Sequence, residues 1–225
     1  MVLLLNENMN LGIVDYNAGN LQSVRNAFES LGVSPAWVRA PGDLDGLDVL
    51  VLPGQGEFGD SAANLKAREL WEPIRQWLRD CRPYFGICLG YQLLFEGSEE
   101  SPDTPGFGIF PGRVVRFPDS PGLKIPHMGW NSLQLADPGD PLWKGLAATG
   151  GDNANGDESL PHAYFVHSYY PAPDDESLVA SRTDYTLPFA SSVRRGSVVA
   201  TQFHPEKSQQ VGLSILRNFL DEMEP

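Results

Sequence analysis

The chain has 225 residues and carries a formal net charge of −13 at pH 7. This length suits one α/β domain with a substantial buried core. The acidic balance argues against a nucleic-acid-binding surface, because phosphate contacts require clustered Lys and Arg. The chain has only two cysteines, which do not make a disulfide framework, and no Cys/His grouping has zinc spacing. We therefore expect a cytoplasmic enzyme in a reducing compartment, with no bound metal or cofactor.

Two segments lack the pattern of packed structure. The apolar run from Val2 to Leu5 is too short for a signal peptide or a membrane span, so no membrane association is expected. Residues 1–8 are predicted to be an overhang, and residues 9–225 are predicted to form one domain. Within that domain, the stretch near 148–159 has no apolar periodicity and is predicted to be a mobile surface loop.

The first half of the chain alternates predicted strands and helices. Apolar runs predict strands at 11–14, 49–52 and 84–87. Apolar residues at helical spacing predict one helix that begins after Asn20 as its N-cap and stops at Gly32, and a second helix over 70–78. This alternation is typical of a three-layer α/β fold, in which a mostly parallel central sheet lies between flanking helices and the functional loops gather at the carboxyl ends of the strands.

The second half has a different character. Short strands are predicted near 113–117, 164–167, 190–193 and 197–203, separated by turns rich in proline and glycine. Such spacing favours antiparallel pairing, so we expect a more antiparallel second half. The apolar positions Leu213, Leu216, Phe219 and Leu220 predict a closing amphipathic helix.

Cys88 stands in a sequence typical of a nucleophile elbow, Gly86-Ile87-Cys88-Leu89-Gly90, directly after an apolar run. Small residues two places on either side allow the sharp strand-to-helix turn that exposes a nucleophile. The start of the following helix would favour the thiolate through free N–H groups and the helix dipole. A lone cysteine is most often a small buried hydrophobe. That interpretation is kept for Cys81, which has no such flanks.

A histidine and a carboxylate follow 116 residues later in His204-Pro205-Glu206, behind the apolar run 198–200. In an extended segment, residues two apart point to the same face, so His204 and Glu206 are predicted to act together. Histidine would be the base and glutamate the group that orients it. The sequence therefore predicts a Cys–His–Glu triad.

These motifs together resemble the class I, triad-type glutamine amidotransferases, and more narrowly the glutaminase subunits of imidazole glycerol phosphate synthase. The resemblance runs from about Met9 to Leu220. Beyond the elbow and the His-Pro-Glu segment, it is carried by five matches in the family's order: Asn10 to Tyr16, Leu52 to Asp60, Pro126 to Asn131, Tyr164 to Tyr169, and Lys207-Ser208.

The resemblance implies a hydrolysis of L-glutamine in two stages. Cys88 would attack the side-chain carboxamide, and His204 would take the thiol proton and donate one to the departing ammonia. Water would then hydrolyse the γ-glutamyl thioester and release L-glutamate. Ammonia would pass to a separate cyclase subunit, in a heterodimer that makes imidazole glycerol phosphate and AICAR in histidine biosynthesis.

The resemblance also implies roles for residues around the triad. The oxyanion would be held by the main-chain N–H of Leu89 and by the loop at Gln55 and Gly56, whose glycine allows a peptide to flip when a partner signals. Glutamine would be bound by Gly54, Gln92, Ser168 and Tyr169. The cyclase would dock against Asn20, Trp130 and Lys207, with His127 either at that interface or in the core.

Other interpretations remain open at this point. The chain resembles, less closely, the glutaminase subunits of pyridoxal phosphate synthase and anthranilate synthase. A docking partner that keeps the fold but no longer hydrolyses glutamine is a second alternative, although a complete triad argues against it. A hydrolase with a cysteine elbow would have no need of the His-Pro-Glu segment.

Overall fold

The structure is a computed structural model that describes residues 9–17, 19–122, 124–146 and 160–223. The predicted overhang at 1–8 and the predicted loop near 148–159 lie outside the described residues. Within the described ranges, no helix is both long and apolar enough to cross a lipid bilayer.

The strands of the described residues form one large and two small sheets. In chain order they are β1 Leu11–Val14, β2 Ala36–Val38, β3 Val49–Gly54, β4 Tyr84–Cys88, β5 Gly112–Arg116, β6 His127–Ser132, β7 Gln134–Leu135, β8 His162–His167, β9 Tyr169–Pro173, β10 Val179–Asp184, β11 Pro188–Arg195 and β12 Val198–Thr201. The large sheet has the order β2-β1-β3-β4-β12-β11-β10-β7, and the pairs β5-β9 and β6-β8 stand apart.

The large sheet changes direction at β12. Strands β2, β1, β3, β4 and β12 pair in parallel, whereas β11, β10 and β7 are added antiparallel. All five residues of β4 are buried, and because successive side chains point to opposite faces, both faces of the sheet must be covered. The predicted mostly parallel sheet with a more antiparallel second half is confirmed.

The helices are α1 Leu21–Ser30, α2 Phe58–Ala67, α3 Trp71–Arg79, α4 Leu89–Gln92 and α5 Gln209–Met223. Helices α1, α3 and α5 match the predicted helices. On α5, Phe219 packs edge-on against Phe85 of β4, with ring centroids 5.0 Å apart, so the closing helix covers the centre of the sheet. Helix α2 is absent from the predicted elements.

The carboxyl ends of β3, β4 and β12 lie side by side. Gly54 of β3 is in register with Cys88 of β4, and Thr201 of β12 is in register with Ile87. The residues that follow these strands therefore gather at one edge of the sheet, as expected for a doubly wound fold. That edge carries the residues of the predicted triad.

Candidate active site

The elbow holds Cys88 in a strained conformation. Cys88 has φ 54° and ψ −98°, a backbone geometry that non-glycine residues rarely adopt, and its side chain is buried. A Cβ atom at Gly90 would collide with the carbonyl oxygen of Leu52, and one at Gly86 would lie 2.8 Å from the carbonyl of Gly90. The close approach of these backbones requires glycine at both flanking positions.

The helix after the elbow is short. Helix α4 has four residues, so few peptide dipoles are aligned and their effect on the Cys88 sulfur is small. As the first residue of α4, Leu89 has no carbonyl four residues back within the helix. Its N–H therefore has no acceptor inside α4, as an oxyanion donor requires.

His204 and Glu206 form a buried pair. The Nδ1 atom of His204 lies 2.9 Å from Oε1 of Glu206, and their side chains are 2% and 1% exposed. The predicted extended geometry is wrong, because residues Pro205–Lys207 form a turn of 3-10 helix that follows β12. The 3-10 turn, rather than the side-chain alternation of a strand, places the Glu206 carboxylate against the His204 imidazole.

The surroundings of His204 favour its charged form. Burial lowers the pKa of His204, but the nearby Cys88 and the hydrogen-bonded Glu206 outweigh burial and raise the pKa to about 10. Among the described residues, Nε2 of His204 has no hydrogen-bond partner. Negative charge at Glu206 and at the position of the Cys88 sulfur therefore favours the imidazolium.

A cavity of about 350 Å³ lies beside the nucleophile. It is large enough for an amino acid the size of glutamine. Seven of the predicted site residues line this cavity together with Cys88: Gln55, Gly56, Leu89, Gln92, Ser168, Tyr169 and Lys207. Gly54, which is predicted to bind substrate, is not one of the lining residues, and a Cβ there would collide with the Tyr16 hydroxyl and the Leu89 side chain.

The family comparison agrees with this geometry. The family model described as "Glutamine amidotransferase class-I" matches residues 12–223. The chain belongs to this family. The imidazole glycerol phosphate synthase subunit HisH of Syntrophotalea carbinolica is 47% identical over 214 residues, which cover 93% of this chain and 98% of that protein. The predicted resemblance and enzyme class are confirmed.

Two further proteins extend the comparison. The chloroplastic imidazole glycerol phosphate synthase hisHF of Arabidopsis thaliana is 43% identical over 210 residues, which cover 92% of this chain and 33% of that protein. A crystal structure of a glutamine amidotransferase superposes with a TM-score of 0.70 at 22% identity, over 95% of this chain and 98% of that one. The second likeness shows the class I amidotransferase fold alone.

Gln92, Ser168 and Tyr169, which are predicted to bind glutamine, all take part in hydrogen bonds. Gln92 is buried, and its Nε2 donates to the carbonyl oxygen of Tyr169 at 3.1 Å and to Oε1 of Gln202 at 3.2 Å. The carbonyl oxygen of Ser168 accepts from Phe117 N at 3.1 Å. The carbonyl oxygen of Tyr169 also accepts from His167 and so has both of its acceptor positions filled, whereas Oε1 of Gln92 is directed away from these two partners.

Glu100 also lines the cavity, although no sequence motif marks it. Its carboxylate is half-buried and accepts a hydrogen bond from the N–H of Phe58 at 2.8 Å, at the start of α2. Burial raises the pKa of Glu100. A glutamate in an irregular segment carries no periodic signal, and its location over α2 depends on contacts 42 residues apart.

Two of the three predicted docking residues, Trp130 and Lys207, lie beside the same Tyr164 ring, whereas Asn20 contacts the predicted triad. The Trp130 ring is 47% exposed and stands edge-on to Tyr164, with centroids 6.1 Å apart, and Nζ of Lys207 lies 5.9 Å from the centroid of the same Tyr164 ring. Asn20 lies at φ 64° and its side chain does not cap α1; its Nδ2 donates to Oε1 of Glu206 at 3.4 Å. We call Trp130, Tyr164 and Lys207, with the exposed Met128, the β6 face.

His127 belongs to the core rather than to this face. It is buried, and its ring stacks on Tyr185 and Phe165 at centroid distances of 4.0 and 4.7 Å. The interpretation of His127 as an interface residue is therefore wrong. Burial lowers the pKa of His127 to about 4, and it lowers the pKa of the neighbouring His167 well below the usual value.

Acidification should destabilise the fold through His127. An unfolded histidine binds a proton near pH 6.5, whereas His127 in the folded protein does so only near 4, so stability is lost as pH falls through this window. The expected loss from His127 alone is about 3 kcal/mol. Urea unfolding of the wild type and of His127→Gln across this range checks the prediction. Equal pH slopes for the two proteins would contradict it.

Proposed function

We propose that this chain is the glutaminase subunit of imidazole glycerol phosphate synthase in histidine biosynthesis. The observation that carries the proposal is the strained Cys88 elbow beside the buried His204–Glu206 pair, at the wall of a cavity sized for an amino acid. The names of the HisH relatives supply the pathway and the synthase. We also propose that residues 9–225 act as one domain and that the enzyme is cytoplasmic.

The first half of the reaction forms a thioester. The Cys88 sulfur attacks the side-chain amide carbon of glutamine, and the π electrons of the carbonyl move to its oxygen. The N–H groups of Leu89 and of the loop at Gln55 and Gly56 stabilise this oxyanion. Protonated His204 then gives its Nε2 proton to the leaving nitrogen, the C–N bond breaks, and ammonia departs.

The second half restores the enzyme. His204, now neutral, takes a proton from a water molecule whose oxygen attacks the thioester carbon. The C–S bond breaks, L-glutamate leaves, and the sulfur returns as the thiolate facing the imidazolium. Glu206 holds Nδ1 of the ring throughout and stabilises its charged form, which it does at 2.9 Å. Asn20 in turn holds the Glu206 carboxylate.

The β6 face is the proposed docking surface for the cyclase subunit. Met128 and Trp130 are the large apolar side chains exposed on β6, at 63% and 47%. Exposed aromatic and methionine side chains are typical of the centres of protein interfaces. Lys207 belongs both to this face and to the cavity lining, so a docked partner would lie next to the site where ammonia is released.

Glutamate release from glutamine tests the proposal, measured for the purified chain alone and with a cyclase subunit plus its nucleotide substrate. We expect the liganded partner to stimulate release at least about tenfold, in the range of ordinary allosteric coupling. High activity that ignores the partner would assign the glutaminase to another acceptor. No release under any condition would favour the non-catalytic docking protein.

The same assay tests whether Glu100 binds the α-ammonium group of glutamine. The half-buried Glu100 carboxylate suits the α-ammonium group of glutamine, since a charged hydrogen bond there replaces lost water. Glu100→Gln keeps an oxygen for the Phe58 N–H but removes the negative charge. We expect KM for glutamine to rise about tenfold with little change in kcat. An unchanged KM would exclude this contact.

A further inference from the structure

Gln202 contacts the nucleophile, although the triad mechanism gives it no role. Its Nε2 lies 3.5 Å from the Cys88 sulfur, and its side chain is fully buried. The contact follows from strand register, because Thr201 pairs with Ile87 and the next residues, Gln202 and Cys88, become neighbours. A polar side chain buried against a reacting sulfur needs a chemical explanation.

Gln92 determines which end of the Gln202 amide faces the sulfur. Gln92 lies between the carbonyl oxygen of Tyr169, at 3.1 Å, and Oε1 of Gln202, at 3.2 Å. A carbonyl oxygen only accepts, so Gln92 must turn its NH₂ group toward Tyr169 and Gln202. Gln202 must then turn its oxygen toward Gln92 and its own NH₂ group toward Cys88. The nucleophile therefore faces a donor.

A pair of histidines leads to the same carbonyl. Nδ1 of His167 lies 2.8 Å from the Tyr169 oxygen, and its Nε2 lies 3.3 Å from Nδ1 of His127. At the far end, Nδ2 of Asn131 lies 2.8 Å from the carbonyl oxygen of Asp184 and 3.3 Å from Nε2 of His127. A carbonyl oxygen only accepts, so Nδ1 of His167 carries a hydrogen, and Asn131 turns its NH₂ group toward Asp184 and toward Nε2 of His127. Nε2 of His127 therefore accepts, and Nδ1 of His127 donates to Nε2 of His167. Both imidazoles are neutral, and each has its hydrogen on Nδ1.

We propose that Gln202 donates a hydrogen bond to the Cys88 thiolate, and that Gln92 is the positioning residue that keeps this donor directed at the sulfur. The inference rests on the proposed function of Cys88 as the nucleophile. A donor to an ionised sulfur is a charge-assisted hydrogen bond, roughly twice as strong as a neutral one. Because α4 is a single turn, Gln202 supplies stabilisation that a longer helix would otherwise provide.

An amide suits this position for a second reason. Gln202 has no proton that it loses near neutral pH, so it stabilises the thiolate without competing with His204 for proton transfer. It also leaves the sulfur free on the side of the cavity, since Gln202 is buried and does not line the cavity wall. The thiolate is thus held between the amide of Gln202 and the imidazolium of His204.

The pH dependence of Cys88 alkylation by iodoacetamide tests the proposal without using glutamine hydrolysis. Cys81 is exposed and would also react, so every protein carries Cys81→Ser. Gln202→Leu removes the donor. Gln202→Met is close to glutamine in size and also has no N–H donor. Iodoacetamide is small and uncharged, so its access is the same in both variants.

We expect the midpoint of the alkylation profile to move up by about one pH unit in Gln202→Leu, as for the loss of one charged hydrogen bond. A similar shift is expected in Gln202→Met, which also lacks the donor. A folded variant whose midpoint is unchanged would overturn the proposal, even if kcat falls. If Gln202→Leu does not fold, Gln202→Met, which is closer to glutamine in shape, decides alone. Loss of alkylation in the parent protein would instead refute Cys88 as the nucleophile.

Discussion

Cys88→Ala should lower glutamine hydrolysis by at least about 10⁴-fold, the scale of losses when a covalent nucleophile is removed. Alanine has no atom that can form the γ-glutamyl bond, and the imidazolium of His204 then has no thiolate to face. The loss should appear in kcat, because the cavity wall that holds the amino-acid end of glutamine is unchanged. Glutamate release by the complex with the cyclase subunit measures the effect.

Two controls separate loss of chemistry from loss of structure. Cys81→Ser changes the other cysteine, which is exposed and does not line the cavity. This variant should leave glutamate release within about twofold of wild type, as for an ordinary surface substitution. An ammonium salt should restore product formation by the cyclase in the Cys88→Ala complex. Substantial hydrolysis by purified Cys88→Ala would contradict the triad mechanism.

The fold was predictable wherever the signal is local. Strands β1, β3 and β4 are uninterrupted apolar runs, and α3 has a clear amphipathic period. Helix α2 was missed because Gly59, Asp60, Ser61 and Asn64 have low helix propensity and leave it without a clear apolar period. Strand β9 was missed because its two prolines argue against a strand, and they are tolerated only in a small two-stranded sheet beside β5.

The site residues were also predictable only where a short sequence motif marks them. Cys88 and the His204–Glu206 pair each stand in a short motif, so residue types and spacing were enough to select them. Gln202 and Glu100 carry no local signal, because each reaches the site through pairing or loop contacts distant in sequence. The burial of His127, which the sequence left open between interface and core, has the same cause, since the rings that cover it come from strand β8 and from a segment after β10.

Gly90→Ala should damage the site without changing any of its side chains. A Cβ at position 90 would collide with the carbonyl oxygen of Leu52 and lie 2.9 Å from its carbonyl carbon. Main-chain atoms of a central strand have little room to move, so we expect a loss of about 2–3 kcal/mol in unfolding free energy, as for an overpacked core. Urea unfolding measures this term.

The larger effect should be on kcat, because the collision lies between the strand that leads into the oxyanion loop and the elbow that holds Cys88. Leu52 is two residues before Gly54 on β3, the strand that leads into the oxyanion loop, while Gly90 is two residues after Cys88. A shift of about 1 Å between loop and nucleophile costs roughly 10²-fold in rate. Gly42→Ala is the matched control, since a Cβ there meets no atom within 4 Å. Equal kcat values for the two variants would show that the elbow tolerates displacement and that its glycines serve another purpose.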